Sequence, residues 1–432
     1  MRFAIATIVL VACGGSTPSP DAPAPLVPTA NPEREIVDTK LAFDVTATTG
    51  TATITFGPSE MPGATLEVGE LVLGTVMFQG AELAYATNPP DMAAKNATGS
   101  TIDLALPPSG DPMDVTIAFT YKAHAGGFTG ASAKGYTFLW PYFCGNLFPC
   151  HSSPSDGTTM SLELSGVPDG KVAVFAPTIV EAPSYQLAWA IDAYTELPLG
   201  TTTAGTQVSV WHLPNEATTA MNGTQNLVAV FDWLEKNIGP YRFGNKVGSV
   251  SVKWGAGAYG GMEHHPMWHV GASSLGSQET HAHEAAHGWF GDGIRLSCWE
   301  DFVLSEGTVS YLSARALSKT VPAMEAKIWA DYQVDLDDAI AEGGAPAWPH
   351  GCNQIDIVED KLFTNLPYMQ GAFFYKEVAD KVGADVLDGV IGRFYKKYKN
   401  KPAGMQDMVN AIKTETGFDP QAIVDARLRK QY

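Results

Sequence analysis

The sequence predicts an α+β protein, with an antiparallel β-sandwich or saddle in front and a mixed, then helical, part behind it. Three observations predict this. Between about residues 35 and 212, short runs rich in β-branched residues alternate apolar and polar positions, and Gly, Pro, Asp and Ser separate them. Near residue 213 the apolar spacing changes from the period of a strand to that of a helix. Beyond Gln278 helical spacing dominates.

The front part, residues 35–212, contains Leu41–Ala47, Thr51–Phe56, Val115–Tyr121, Thr159–Leu164 and Val172–Phe175. Alternation turns one face of each run toward a core, which favours sheet packed on sheet. The back part, residues 213–432, opens on Thr219–Asn237, where Met221, Leu227, Val230, Phe231 and Leu234 share helical spacing. Val247–Trp254 reads as a strand leading into Gly260-Gly261-Met262-Glu263. Val309–Leu317, Phe373–Val382, Val386–Tyr398 and Met405–Thr416 read as helices.

A chain of 432 residues is long enough for two or three domains with sizeable cores. The 43 Gly and 29 Pro suit a loop-rich, β-containing protein. A formal charge of −19 argues against a nucleic-acid partner, which would require a basic patch. The first residues read as an address. Met1-Arg2 is a short positive region, and Phe3 to Val11 is an apolar run too short to span a bilayer. Leu10-Val11-Ala12-Cys13 resembles a bacterial lipoprotein cleavage box, in which the Cys becomes the acylated first residue. Residues 1–12 are then a signal peptide, and Pro/Ser-rich residues 13–34 a flexible tether. The expected location is the cell envelope, with the membrane engaged through a lipid at Cys13. An ordinary secretory signal is the alternative. Four further Cys allow three pairings. Cys144 and Cys150, which enclose five residues in an aromatic, Gly/Pro-rich loop, are the favoured pair. Cys298 with Cys352 follows by elimination, with free buried thiols as the alternative.

Chemistry is concentrated in His283-Glu284-Ala285-Ala286-His287, followed after eighteen intervening residues by Glu306. Positions i and i+4 of a helix share a face, so both imidazoles can reach one ion. Glu284 projects beside them, where a carboxylate can take a proton from an activated water. Two His and a Glu leave a fourth zinc position open, as catalytic sites do. Around this motif lie Gly260-Gly261-Met262-Glu263-His264 upstream, Trp299–Leu312 and then Leu366-Pro367-Tyr368-Met369-Gln370-Gly371-Ala372 downstream.

Together these segments resemble the aminopeptidase N family of gluzincin zinc peptidases. The resemblance implies a thermolysin-like catalytic domain holding one zinc through His283, His287 and Glu306. It implies Glu284 as the base and Tyr368 as donor to the oxyanion. Glu263, with Gly261 and Met262, would bind substrate by holding its free amino group. Leu147-Phe148-Pro149-Cys150 is also similar to a segment of the family's front domain. The expected partners are peptides with a free N-terminus. Three departures stand out. His264 replaces the usual Asn, Gly288 the usual Gln, and the sequence ends about sixty residues after Tyr368, so the family's large helical cap domain is not expected. Two other readings share these residues, a zinc hydrolase of non-peptide substrates and a silent, surface-binding lipoprotein. Asp292 and Asp301 are candidates to orient the metal ligands, by proximity in sequence alone. His264, His265, His269 and His281 read as polar loop and pocket residues rather than a second metal site.

Overall fold

The fold is a computed structural model describing residues 26–91, 99–255 and 260–432. Met1 to Cys13, and with them the acylation expected at Cys13, lie outside the described residues. The architecture is α+β. A seven-stranded sheet runs in the order 178–182, 158–165, 36–44, 49–56, 113–120, 72–78, 81–82. Its alternation is the one the sequence predicts: Leu41 and Phe43, then Ala52, Ile54 and Phe56, then Val115, Ile117 and Phe119 are all buried. Leu41 lies beside Ala52 on one side and Leu162 on the other, and Ala52 beside Ile117. One pairing departs from the antiparallel expectation. Ile36–Asp44 and Thr158–Ser165 run parallel, because more than a hundred residues of intervening chain separate them and no hairpin constrains their direction. A three-stranded sheet of 64–69, 100–104 and 85–88 accompanies it.

A second, five-stranded sheet has the order 195–201, 207–212, 246–252, 267–271, 261–262. It contains residues 195–212, which by alternation had been grouped with the front part. Alternation reports a half-buried strand but not the sheet it joins. The short strand Gly261–Met262 pairs antiparallel to Met267–Gly271, leaving its other edge open. The region expected as one helix, Thr219–Asn237, is two: α1 (Ala217–Thr224) and α2 (Leu227–Asn237). They break at Gln225-Asn226, where the Asn226 side chain donates to Gln278 Oε1 at 2.7 Å. Then follow α3 (Gln278–Ala286), α4 (Phe302–Thr320), α5 (Glu325–Glu342), α6 (Asn365–Val382), α7 (Ala384–Tyr398) and α8 (Met405–Thr416). Among the described residues no helix is long and apolar enough to cross a membrane.

The end of the Pro/Ser-rich segment is fastened to the front part. Asn31 N–H donates to Thr65 Oγ1 at 2.9 Å, and the buried Arg34 guanidinium donates to Gly63 O and Pro107 O at 3.0 and 3.1 Å. Residues expected as tether up to 34 therefore include a docked stretch. Arg34 hides its charge against backbone carbonyls, a partner set that composition does not reveal.

The two parts meet through aromatic rings and a few polar ties. Cys144 is bonded to Cys150, stapling an aromatic loop of the front part, and Cys298 is bonded to Cys352. From that loop Trp140 packs on Trp299, Phe302 and Phe363, with centroids 5.6, 5.8 and 4.5 Å away. The Tyr142 hydroxyl donates to Asp356 Oδ1 at 2.9 Å. Asp192 accepts from Lys171 of the front part and, at 2.6 Å, from Lys253 beyond the second sheet. Burial pushes the Asp192 carboxyl up, but its hydrogen bonds from both ammonium groups and the Ala193 N–H outweigh burial and hold it at about 2. A depressed carboxylate contributes stability above its unfolded value of about 3.9 and loses it as pH falls through the folded value. Because both lysines are largely exposed, the contribution is about 1 kcal/mol. Asp192→Asn should therefore unfold at lower urea than wild type at pH 7, and the gap should close by pH 2. Parallel urea titrations at the two pH values check this.

Candidate active site

Helix α3 begins at Ser277, whose hydroxyl accepts the Thr280 N–H at 3.1 Å. His283 lies in its last turn, and His287, four residues on, caps its C-terminus in helical conformation. Glu306, in the second turn of α4, points at both. His283 Nε2 is 3.0 Å and His287 Nε2 is 3.3 Å from Glu306 Oε2, and the two Nε2 atoms are 3.2 Å apart. A tetrahedral zinc with bonds of about 2.0–2.1 Å separates its ligand atoms by about 3.3 Å, so these three donors fit that ion. Their electrostatics agree. Burial pushes the Glu306 carboxyl up, but the imidazoles of His287 and His283 overcome this and hold it at about 2. Burial pushes the His287 imidazole down, yet the carboxylates of Glu306, Glu263 and Glu284 raise it well above the usual histidine range. A divalent cation would take the place of that proton.

Glu284 and Glu263 face the same space. Burial raises the Glu284 carboxyl well above the usual range, helped by Glu263 and Glu306 and opposed by His287. Burial likewise lifts Glu263 to about 7. Gly261 makes the arrangement possible: a Cβ there would lie 2.4 Å from Glu284 Oε1. Met262 beside it is buried. Tyr368 stands in the first turns of α6, which Thr364 caps by accepting the Leu366 N–H at 3.2 Å. Its ring stacks on His283 at 5.7 Å and meets Phe302 edge-on at 5.8 Å. Helices α4 and α6 touch backbone to backbone, since a Cβ on Gly307 would sit 2.6 Å from the Gly371 Cα. That crossing places Glu306, next to Gly307, and Tyr368, one turn from Gly371, beside one cavity of about 780 Å³. All eight residues singled out in the sequence are thereby brought together: His283, Glu284, His287, Glu306, Tyr368, Glu263, Gly261 and Met262 line this cavity.

The residues that hold this set in place are others than expected. Among the described residues neither Asp292 nor Asp301 has a hydrogen bond to a metal-ligand side chain, although the Asp292 carboxyl feels the charge of His287. Asp301 accepts the Met405 N–H at 2.8 Å and so fixes the start of α8. Asp292 is fully buried, with neither carboxylate oxygen hydrogen-bonded among the described residues. His287 Nδ1 instead donates to Phe290 O at 3.0 Å, a backbone partner that side-chain motifs cannot show. His264, His265, His269 and His281 are buried behind the cavity rather than lining it. His265 Nε2 donates to Glu284 O at 2.7 Å, since a carbonyl can only accept, and Nδ1 accepts from the Tyr241 hydroxyl at 2.8 Å. Burial holds His265 at about 3, hence neutral. Gly288, the departure from the family's Gln, leaves room for this pair, because a Cβ there would lie 2.6 Å from the Tyr241 ring and 3.0 Å from His265.

The sequence of residues 267–426 matches the peptidase family M1 domain. The match bears out the resemblance to the aminopeptidase N type of gluzincin. Leucine aminopeptidase 2 of Aspergillus fumigatus is 25% identical over 301 residues, which cover 62% of this chain and 46% of that protein. The Chaetomium globosum protein of the same name is 27% identical over 59% of this chain and 45% of its own length. The chain thus spans about half the length of the curated relatives it matches. Among solved structures, an M1 zinc metallopeptidase from Deinococcus radiodurans with a Tyr-Ser-Ala substrate superposes with a TM-score of 0.73 at 16% identity, covering 92% of this chain and 94% of that one. Leukotriene A4 hydrolase from Saccharomyces cerevisiae superposes with a TM-score of 0.72 at 19% identity, over 92% of this chain and 68% of its own. Both share the fold.

Proposed function

We propose that the protein is a zinc-dependent aminopeptidase that removes N-terminal residues from peptides. The observation that carries this reading is the meeting of His283, His287 and Glu306 within 3.3 Å in a cavity that Glu284, Glu263 and Tyr368 also line. Zinc held there supplies a Lewis acid that makes water nucleophilic near neutral pH and polarises a carbonyl. The names of the relatives and the Deinococcus neighbour support zinc and peptides as ion and substrate. Glu284 takes the proton of the attacking water and passes it to the leaving nitrogen. Its carboxyl is buried and lines the same cavity as the three ligand side chains, within reach of a water held there. The Tyr368 hydroxyl donates to the carbonyl oxygen as it becomes negative, worth about 3 kcal/mol for one such donor. Glu263 pairs with the substrate ammonium and sets the register, so that the first peptide bond falls at the metal ligands.

The test is a pair of peptides that differ only in N-acetylation. The free peptide should be cleaved and the blocked one far more slowly, by 10²-fold or roughly that order. Glu263→Ala should narrow the difference by slowing the free peptide. Equal cleavage of both by the wild type would overturn the exopeptidase reading and leave a zinc endopeptidase.

We further propose a mature protein that starts at an acylated Cys13 and is held at the cell envelope. The support is Leu10-Val11-Ala12-Cys13 and the Pro/Ser-rich run after it. Acyl chains contribute about 0.8 kcal/mol per buried CH₂, enough for anchorage with more than one chain. The native protein should partition into a detergent phase and Cys13→Ser into the aqueous phase. Aqueous partitioning of both would make the leader an ordinary secretory signal.

A further inference from the structure

The cavity is polarised along its length, and this points to a substrate class within the proposed aminopeptidase reading, on which the inference rests. Five carboxylates line it: Glu263, Glu279, Glu284, Glu306 and Glu342. Among the described residues no Lys or Arg does. Zinc and one substrate ammonium would balance three of these charges, leaving two. Glu263, Glu284 and Glu306 already face the proposed ion or amine, so the unbalanced pair is Glu279 and Glu342.

The edge strand gives the position of Glu279. Gly261–Met262 runs into Glu263 at one end, and Gly260 stands at the other. A Cβ on Gly260 would meet Ser274 at 3.5 Å and Thr280 at 3.7 Å, so Thr280 and its neighbour Glu279 flank that far end. Three residues of strand put the two ends about 10 Å apart. Glu279 also lies one turn, about 6 Å, before His283 on the same face of α3. A peptide whose amine sits at Glu263, with its first bond at the metal ligands, therefore carries its next residues toward Glu279. Phe128 and Trp140 add aromatic rings to the lining, and Tyr332, whose hydroxyl donates to Ser310 O at 3.2 Å, feels the Glu279 carboxylate. Glu279 is half-buried and makes no hydrogen bond or ion pair with another described residue. Lys327 is near but pairs with Asp331 on its own helix. Glu342 ends α5, whose last turn carries no basic residue, so the helix dipole adds to the negative potential.

We propose that Glu279, in a cavity whose lining also includes Glu342, selects peptides carrying a basic side chain just downstream of the scissile bond. An acidic side chain or a nearby free C-terminal carboxylate is disfavoured by the same field.

The test uses three amidated tripeptides, Leu-Lys-Lys, Leu-Gln-Gln and Leu-Glu-Glu, with the zinc-loaded full chain. The Lys peptide should exceed the Glu peptide in kcat/KM by roughly tenfold or more, with Gln between, through KM rather than kcat. The ratio should shrink at high salt. Glu279→Gln should flatten the series and Glu279→Lys invert it. Equal kcat/KM for the three peptides in the wild type, or an unchanged ratio in both variants, would overturn the assignment. Equilibrium binding of the same peptides to Glu284→Gln separates the two readings. Ordered binding without any cleavage by the wild type would remove the aminopeptidase reading and keep the charge preference. Cleavage without ordered binding or rates would do the reverse.

Discussion

Glu284→Gln is expected to bind zinc as the wild type does and to lose most turnover. The amide keeps the shape of the side chain, and Glu284 is not among the three groups that converge on the ion position. It cannot accept the proton of the attacking water, a role whose loss costs roughly 10²–10⁴-fold in rate. The fall should appear in kcat with KM little changed, since Glu263 and the cavity wall still bind the peptide. Metal analysis beside steady-state kinetics on an aminoacyl arylamide checks it. Normal kcat at normal metal content would rule Glu284 out as the base.

His287→Ala should have the broadest effect. It removes one of three proposed ligands, and wild type should carry one zinc per chain where the variant carries little. It also strands Glu306. That carboxylate is 3% exposed and owes its low pKa chiefly to His287, so removing the imidazole leaves a buried charge with half its partners. Breaking such a pair costs about 3 kcal/mol or more. A lower melting temperature should accompany the loss of metal. A chelator should lower the wild-type melting temperature but leave that of the variant unmoved, because only a ligand that is bound can stabilise. Equal stoichiometric zinc in both proteins would overturn the ligand assignment.

The helices and strands with strong periodicity were legible in the sequence, because a buried face imposes its spacing on every residue. The strand Val172–Phe175 and the helix Met405–Thr416 have the bounds that the pattern predicts. Sheet membership was not legible. Residues 195–212 alternate like the front strands, and only the chain's path assigns them to the second sheet. At the candidate site, residues close together on α3 and in the segments around it could be read from motifs. Groups that act through the backbone could not. Phe290 holds His287 by its carbonyl, and His265 reaches the carbonyl of Glu284 from nineteen positions away with Tyr241 behind it. Trp140 and Phe128 come to the cavity from the front part, across a domain contact that local spacing does not encode.

The meeting of α4 and α6 at Gly307 and Gly371 has a mechanical meaning. It acts as a pivot with short arms. Glu306 is adjacent to it and Tyr368 stands about 4.5 Å along the helix axis from it, so a 10° tilt of α6 would move Tyr368 by about 0.8 Å. The far end of α6, at Val382, would swing several times as far. Motion at the periphery of the helical part is thereby attenuated before it reaches the proposed ion and its oxyanion donor. Loops and distal surfaces can drift with sequence while the spacing of these two groups stays nearly constant.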